Sequence, residues 1–128
     1  MKYKFLNNDF VYMELKNGLL YVKFKKKEID EALAQKIIEQ RLSFVDGQTF
    51  PIIVDGSEVK ELTKAARDTL SSEKANQNTV ALAVIVRNPV TRTIANFFLK
   101  FQQPRYPFRL FTDLESAQEW LKKYHPDT

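Results

Sequence analysis

The chain reads as an α/β protein. Its expected core is a mixed five-stranded sheet that opens with a β-hairpin, in the order ββαβαβαβα, with helices packed on the sheet. Three observations predict this. Asn17-Gly18 separates two alternating apolar runs, the strongest short hairpin signal, because both residues tolerate positive φ. Three later apolar runs are separated by stretches of helical periodicity, and helical crossovers between strands favour parallel, right-handed connections. The chain closes on a short apolar strand, Tyr106 to Phe111, that runs straight into a capped amphipathic helix.

Each element has a local cause. Phe10 to Leu15 alternates loosely up to the Asn-Gly turn. Leu20, Val22 and Phe24 then share one side of the second strand, with Tyr21, Lys23 and Lys25 on the other. Lys25-Lys26-Lys27 ends it. Asp30 is placed to cap a helix from about Glu31 to Phe44. Its expected buried stripe is Leu33, Ile37, Ile38, Leu42 and Val45, with Glu31, Lys36, Glu39, Gln40 and Arg41 toward water. Asp46-Gly47 stops it. Phe50 to Val54 is a buried strand that ends at Asp55-Gly56-Ser57. A second helix starts near Leu62 or Thr63 and runs to about Lys74. Thr79 to Val86 is apolar on both faces, as a central strand covered from both sides or by a partner would be. Asn88-Pro89 opens a third helix, with Asn88 as cap and Pro89 in the first position. Thr112 and Glu115 form a capping box for the closing helix, whose apolar face is Leu114, Ala117, Trp120, Leu121 and Tyr124.

A chain of 128 residues is expected to be a single domain, residues 1–128. It has no apolar run of signal-peptide or membrane-span length. With cysteine absent, disulfide and thiol chemistry are excluded and a cytoplasmic location is expected. The net charge of +4 is unevenly spread: residues 1–27 are lysine-rich, and no acid lies between Ala75 and Thr112. No nucleic-acid reading motif accompanies these basic blocks, so nucleic-acid binding is not expected.

Catalytic chemistry has little to stand on. His125 is the single histidine, so neither a His/Cys metal site nor a Ser-His-Asp triad is expected. The acids fall mainly on helix exteriors and form no acid/base pair. The three glycines, at 18, 47 and 56, exclude a phosphate-cradling loop. No cofactor and no enzyme activity are expected. Candidate binding residues are Asp55, Ser57 and Thr63 at the carboxyl end of a buried strand, where open α/β sheets usually bind ligands. Arg87 and Asn88 open the third helix at the same edge. Phe98 lies in the phenylalanine-rich stretch Phe97, Phe98, Leu99, Phe101, which is core or interface.

The order of elements, and the closing strand and helix with Phe111, Thr112, Ala117, Trp120 and Leu121, resemble STAS domains, and in particular SpoIIAA-like small bacterial proteins. The resemblance spans nearly the whole chain. It implies a non-catalytic protein-interaction or regulatory module that binds a protein partner or self-associates as a homodimer. The Asp-Ser-Ser/Thr-Gly turn of phospho-regulated members is missing, and Thr63 is the only hydroxyl near that place. The alternative expectation is a carrier for a small apolar or anionic ligand such as a lipid, which would use the Phe-rich helix and the sheet edge.

Overall fold

Asn17 and Gly18 reverse the chain with φ of 54° and 75°, and the strands on either side pair antiparallel. The computed structural model describes residues 3–89, 92, 93, 96 and 105–124. Its strands are β1 (Tyr3–Asn7), β2 (Val11–Lys16), β3 (Leu19–Phe24), β4 (Glu28–Ile29), β5 (Phe50–Asp55), β6 (Glu61–Leu62), β7 (Thr79–Ile85) and β8 (Phe108–Phe111). Helix α1 is Glu31–Val45, α2 is Lys64–Leu70, and the closing helix is Leu114–Leu121. A six-stranded sheet runs in the order β1-β2-β3-β5-β7-β8, and β4 and β6 form a small two-stranded sheet. The hairpin pairs are antiparallel; β3·β5, β5·β7 and β7·β8 are parallel.

The mixed α/β sheet opening with a hairpin is as the sequence predicts, with one strand more. The addition is β1, which carries Tyr3 and Phe5 on one face and Lys4 and Leu6 on the other. Its two apolar-bearing faces lack the strict alternation by which a half-buried strand is read. The Lys4 ammonium ties β1 to α1 by donating to the carbonyl of Phe44 at the end of that helix.

Among the described residues, two helices cover one face of the sheet. Asp30 caps α1 by accepting the amide of Leu33 at 2.9 Å, and Asp46 ends it in the left-handed conformation. The buried side of α1 is Ala34, Ile37, Ile38, Arg41, Phe44 and Val45. The stripe therefore includes Arg41 in place of Leu33 and Leu42, which are only partly buried. Helix α2 starts at its Thr63 cap but is shorter than its sequence suggests. Ser71 folds its hydroxyl back onto the carbonyls of Arg67 and Asp68, competing with further helical turns. Lys74–Asn76 follow as a separate 3-10 turn.

The opposite face is covered by the closing helix. Ile53, Ala81, Ala83 and Ile85 of the sheet meet Ala117 and Leu121, all fully buried. The helix starts one residue later than the Thr112 capping box predicts. Phe111 is still strand, and the Asp113 carboxylate accepts the Ser116 amide at 2.7 Å. Thr112 is exposed and contributes its carbonyl to Arg87 instead. Pro89, Arg92, Thr93 and Asn96 are helical, as the Asn88-Pro89 start predicts, and Arg92 donates to the Asn88 carbonyl at 3.1 Å. Phe97, Phe98, Leu99, Phe101 and His125 lie outside the described residues. No helix among the described residues is long and apolar enough to cross a membrane.

Candidate functional site

At the carboxyl end of β5 the chain needs to leave the sheet, and Asp55 organises the exit. Its carboxylate accepts the Tyr21 hydroxyl at 2.9 Å and the Ser57 amide at 3.0 Å, and the residue is 5% exposed. Burial pushes the carboxyl upward, but the hydrogen bonds from Ser57 and Tyr21 and the charge of Lys23 outweigh it, leaving the pKa below its ordinary value. Tyr21 moves upward through burial and its bond to Asp55, so the pair persists as carboxylate and neutral phenol. Both oxygens of Asp55 are engaged, which leaves little basicity for proton transfer.

The other edge residues also serve their own loops. Thr63 is exposed and accepts the Ala66 amide at 3.0 Å as the α2 cap. Asn88 donates to the carbonyls of Ser57 and Val59, at 3.0 and 3.4 Å, tying the β7 exit to the β5 exit. Arg87 donates to the Thr112 carbonyl at 3.2 Å. The structure thus brings Asp55, Ser57 and Asn88 together as one linked loop assembly. Thr63 stands apart at the head of α2, and Phe98 lies outside the described residues.

A different site lies between the sheet and the two helices. The sheet contributes Val22, Ile52, Leu82 and Val84, and α1 contributes Ile37 and Arg41; the floor is completed by Leu62, Leu70 and Phe108. Together they line an apolar cavity of about 170 Å³. For comparison, an apolar cavity of about 150 Å³ can stay dry and take up benzene. Spacing explains its walls. Ile52 and Val54 alternate with Ile53 and Asp55 along β5, and Leu82 and Val84 alternate with Ala81, Ala83 and Ile85 along β7, so one set faces the cavity and the other faces the closing helix.

Among the described residues, Arg41 is the charged member of that lining, and it is 7% exposed. From the middle of α1 its Nη2 reaches the loop before β7, donating to the carbonyls of Ala75 at 2.7 Å and Gln77 at 2.9 Å. Its Nη1 is buried without a hydrogen-bond partner. Burial lowers its pKa, opposed among the described residues by Tyr106. Beside it, Asn76 is already engaged. It accepts the Tyr106 hydroxyl through Oδ1 and donates to the Ser72 carbonyl at 2.7 Å through Nδ2. Burial pushes Tyr106 up to about 12, so it stays a neutral donor.

The sequence reading missed this site by assigning Arg41 to water on its charge. Its spacing pointed the other way: Arg41 is seven residues after Ala34 and four after Ile37, inside the buried stripe of a helix.

The family model described as "Domain of unknown function (DUF7793)" matches residues 13–125. Among solved structures, the chain is similar to an uncharacterised protein of the DUF3478 family with a SpoIIAA-like fold, from Shewanella loihica PV-4. The two are 16% identical, over 94% of this chain and 92% of that one, with a TM-score of 0.61. At that identity the likeness is one of fold, and it agrees with the SpoIIAA-like order of elements. No curated protein matches the chain.

Proposed function

We propose, for a chain that belongs to the DUF7793 family of domains of unknown function, a role as a non-catalytic binding module that encloses a small, mostly apolar ligand. The observation that carries this reading is the cavity of about 170 Å³ between the sheet and helices α1 and α2. Apolar walls with few polar groups, of which Arg41 is the charged one among the described residues, are what a site for a small organic molecule requires. The polar groups at the β5 edge support a non-catalytic role, because Asp55, Ser57 and Asn88 are occupied in holding their loops. Thermal unfolding with toluene or 1-hexanol tests the reading. A ligand that binds only the folded chain stabilises it by about 2.7 kcal/mol at a hundredfold excess over Kd. A rise in Tm that saturates with concentration is expected, and no shift with either compound would sink the reading.

A second reading, association through the sheet, is supported by β1. This edge strand exposes Tyr3 and Phe5, at 55% and 61%, and an open edge invites pairing with another strand. If β1 mediates self-association, sedimentation should find a dimer that Phe5→Lys converts to monomer. A monomer at all concentrations in the parent chain would remove this reading.

A further inference from the structure

We propose that the partner of the β1 edge is a second copy of this chain, whose opposite edge strand, β8, adds to β1 so that its Arg109 crosses Phe5 and pairs with Glu14. This rests on the reading of association through β1 and names the surface that meets it. The two ends of the sheet match in direction and in face. Strands β1 and β8 end the strand order. β1 is antiparallel to β2 and β2 to β3, while β3, β5, β7 and β8 are mutually parallel, so β1 and β8 point the same way. One row of side chains crosses the whole sheet as Phe5, Glu14, Tyr21, Ile53, Ala83 and Arg109. A copy laid alongside continues the sheet with β8 parallel to β1 and Arg109 beside Phe5, on the side that carries Glu14. In that register Leu110 falls beside Leu6 on the other side, and both are only half-buried in the single chain.

The charges at the two edges are complementary. Glu14 is half-buried, and its Oε2 accepts the hydroxyls of Tyr12 at 3.0 Å and Tyr3 at 3.4 Å. Arg109 is exposed, its guanidinium 5.3 Å from the centre of the Phe111 ring. Among the described residues, neither Glu14 nor Arg109 forms an ion pair. The path between them is aromatic: Tyr3 and Phe5 are the exposed large hydrophobic residues of the described structure. A guanidinium stacks on such rings and grips a carboxylate with two N–H groups. Neighbouring strands lie about 4.8 Å apart, so the Cα of Arg109 would stand about 10 Å from that of Glu14. Two extended side chains cover that span across the Phe5 ring. The contact is head-to-tail, so a dimer keeps one open edge of each kind and grows further with concentration.

Sedimentation velocity of the full chain over a range of concentrations, at about 50 mM salt to limit screening, tests this. The parent should form dimers and then larger species. Glu14→Arg and Arg109→Glu should each weaken association at least about tenfold, because each sets like charges together. The double variant Glu14→Arg/Arg109→Glu, with the pair reversed, should restore it. Glu14→Gln removes the charge while keeping an acceptor for Tyr12, and should weaken association even if Glu14→Arg fails to fold. Association that none of the single variants changes would overturn the assignment to β8 and leave association through β1 standing. Single variants that weaken without rescue in the double variant would overturn the pairing of Glu14 with Arg109. A parent chain monomeric at every concentration would remove this proposal and the association reading together.

Discussion

Asp55 and Arg41 are the two charged residues buried in the described structure, and they differ in how their charge is met. Asp55 has an acceptor bond on each oxygen, and its pKa is lowered. A carboxyl with a lowered folded pKa stabilises the fold in full above its unfolded value, about 3.9, and loses that contribution as pH falls through the folded value. Asp55→Asn should therefore destabilise the chain by about 1.5–3 kcal/mol at pH 7, the range for hydrogen bonds to a charged group. The gap from the parent chain should narrow below pH 4. Urea titrations at pH 7, 5 and 3 would check it, and a gap that stays constant to pH 3 would mean that the charge of Asp55 is not what holds the turn. Asp55 was legible as an exit residue at the carboxyl end of a strand. What was not legible is that Tyr21, more than thirty positions away, spends the carboxylate: that contact exists only once β3 and β5 lie side by side. Arg41 is the reverse case, visible in the spacing of its own helix and overruled by the usual exposure of arginine.

Elements with strong local punctuation were read to within a residue or two. Asp30 before α1, Asp46-Gly47 after it and Asn17-Gly18 in the hairpin all act through their own backbone, so the sequence carries the information locally. Helix α2 was overextended, because the separate turn at Lys74–Asn76 is held where its loop meets Arg41 and Tyr106. Thr63 connects this element to function. Its hydroxyl oxygen accepts the Ala66 amide, the ordinary work of an N-cap. Thr63→Ala should cost about 1 kcal/mol, and Thr63→Ser or Thr63→Asp should retain most of it. Chemical denaturation of the three variants would test this assignment. A cost-free alanine would show that the cap is idle in solution and return Thr63 to the binding candidates of the β5 edge.

At the scale of the molecule, the described residues pack unequally on the two faces of the sheet. Toward the closing helix the small side chains of Ala81, Ala83 and Ala117 let helix and sheet approach closely, and each is fully buried. Toward α1 and α2 the larger Leu82 and Val84 stop short of the helices and leave the cavity of about 170 Å³. Neighbouring residues of one strand should then respond to added volume with opposite sign. Ala83→Val forces methyl groups into a filled interface and should destabilise by about 1–3 kcal/mol. Val84→Leu adds a methylene to empty space and should stabilise the ligand-free chain by about 0.8 kcal/mol, the value of one buried methylene, while weakening the uptake of hexanol. The reasoning is that of a site kept open at the expense of stability, where filling the void gains stability and loses function. Equilibrium unfolding of the two variants, with hexanol titrated into the second, measures both halves. If Val84→Leu destabilised as Ala83→Val does, both faces would be equally full, and the proposed ligand site would lose the space on which it depends.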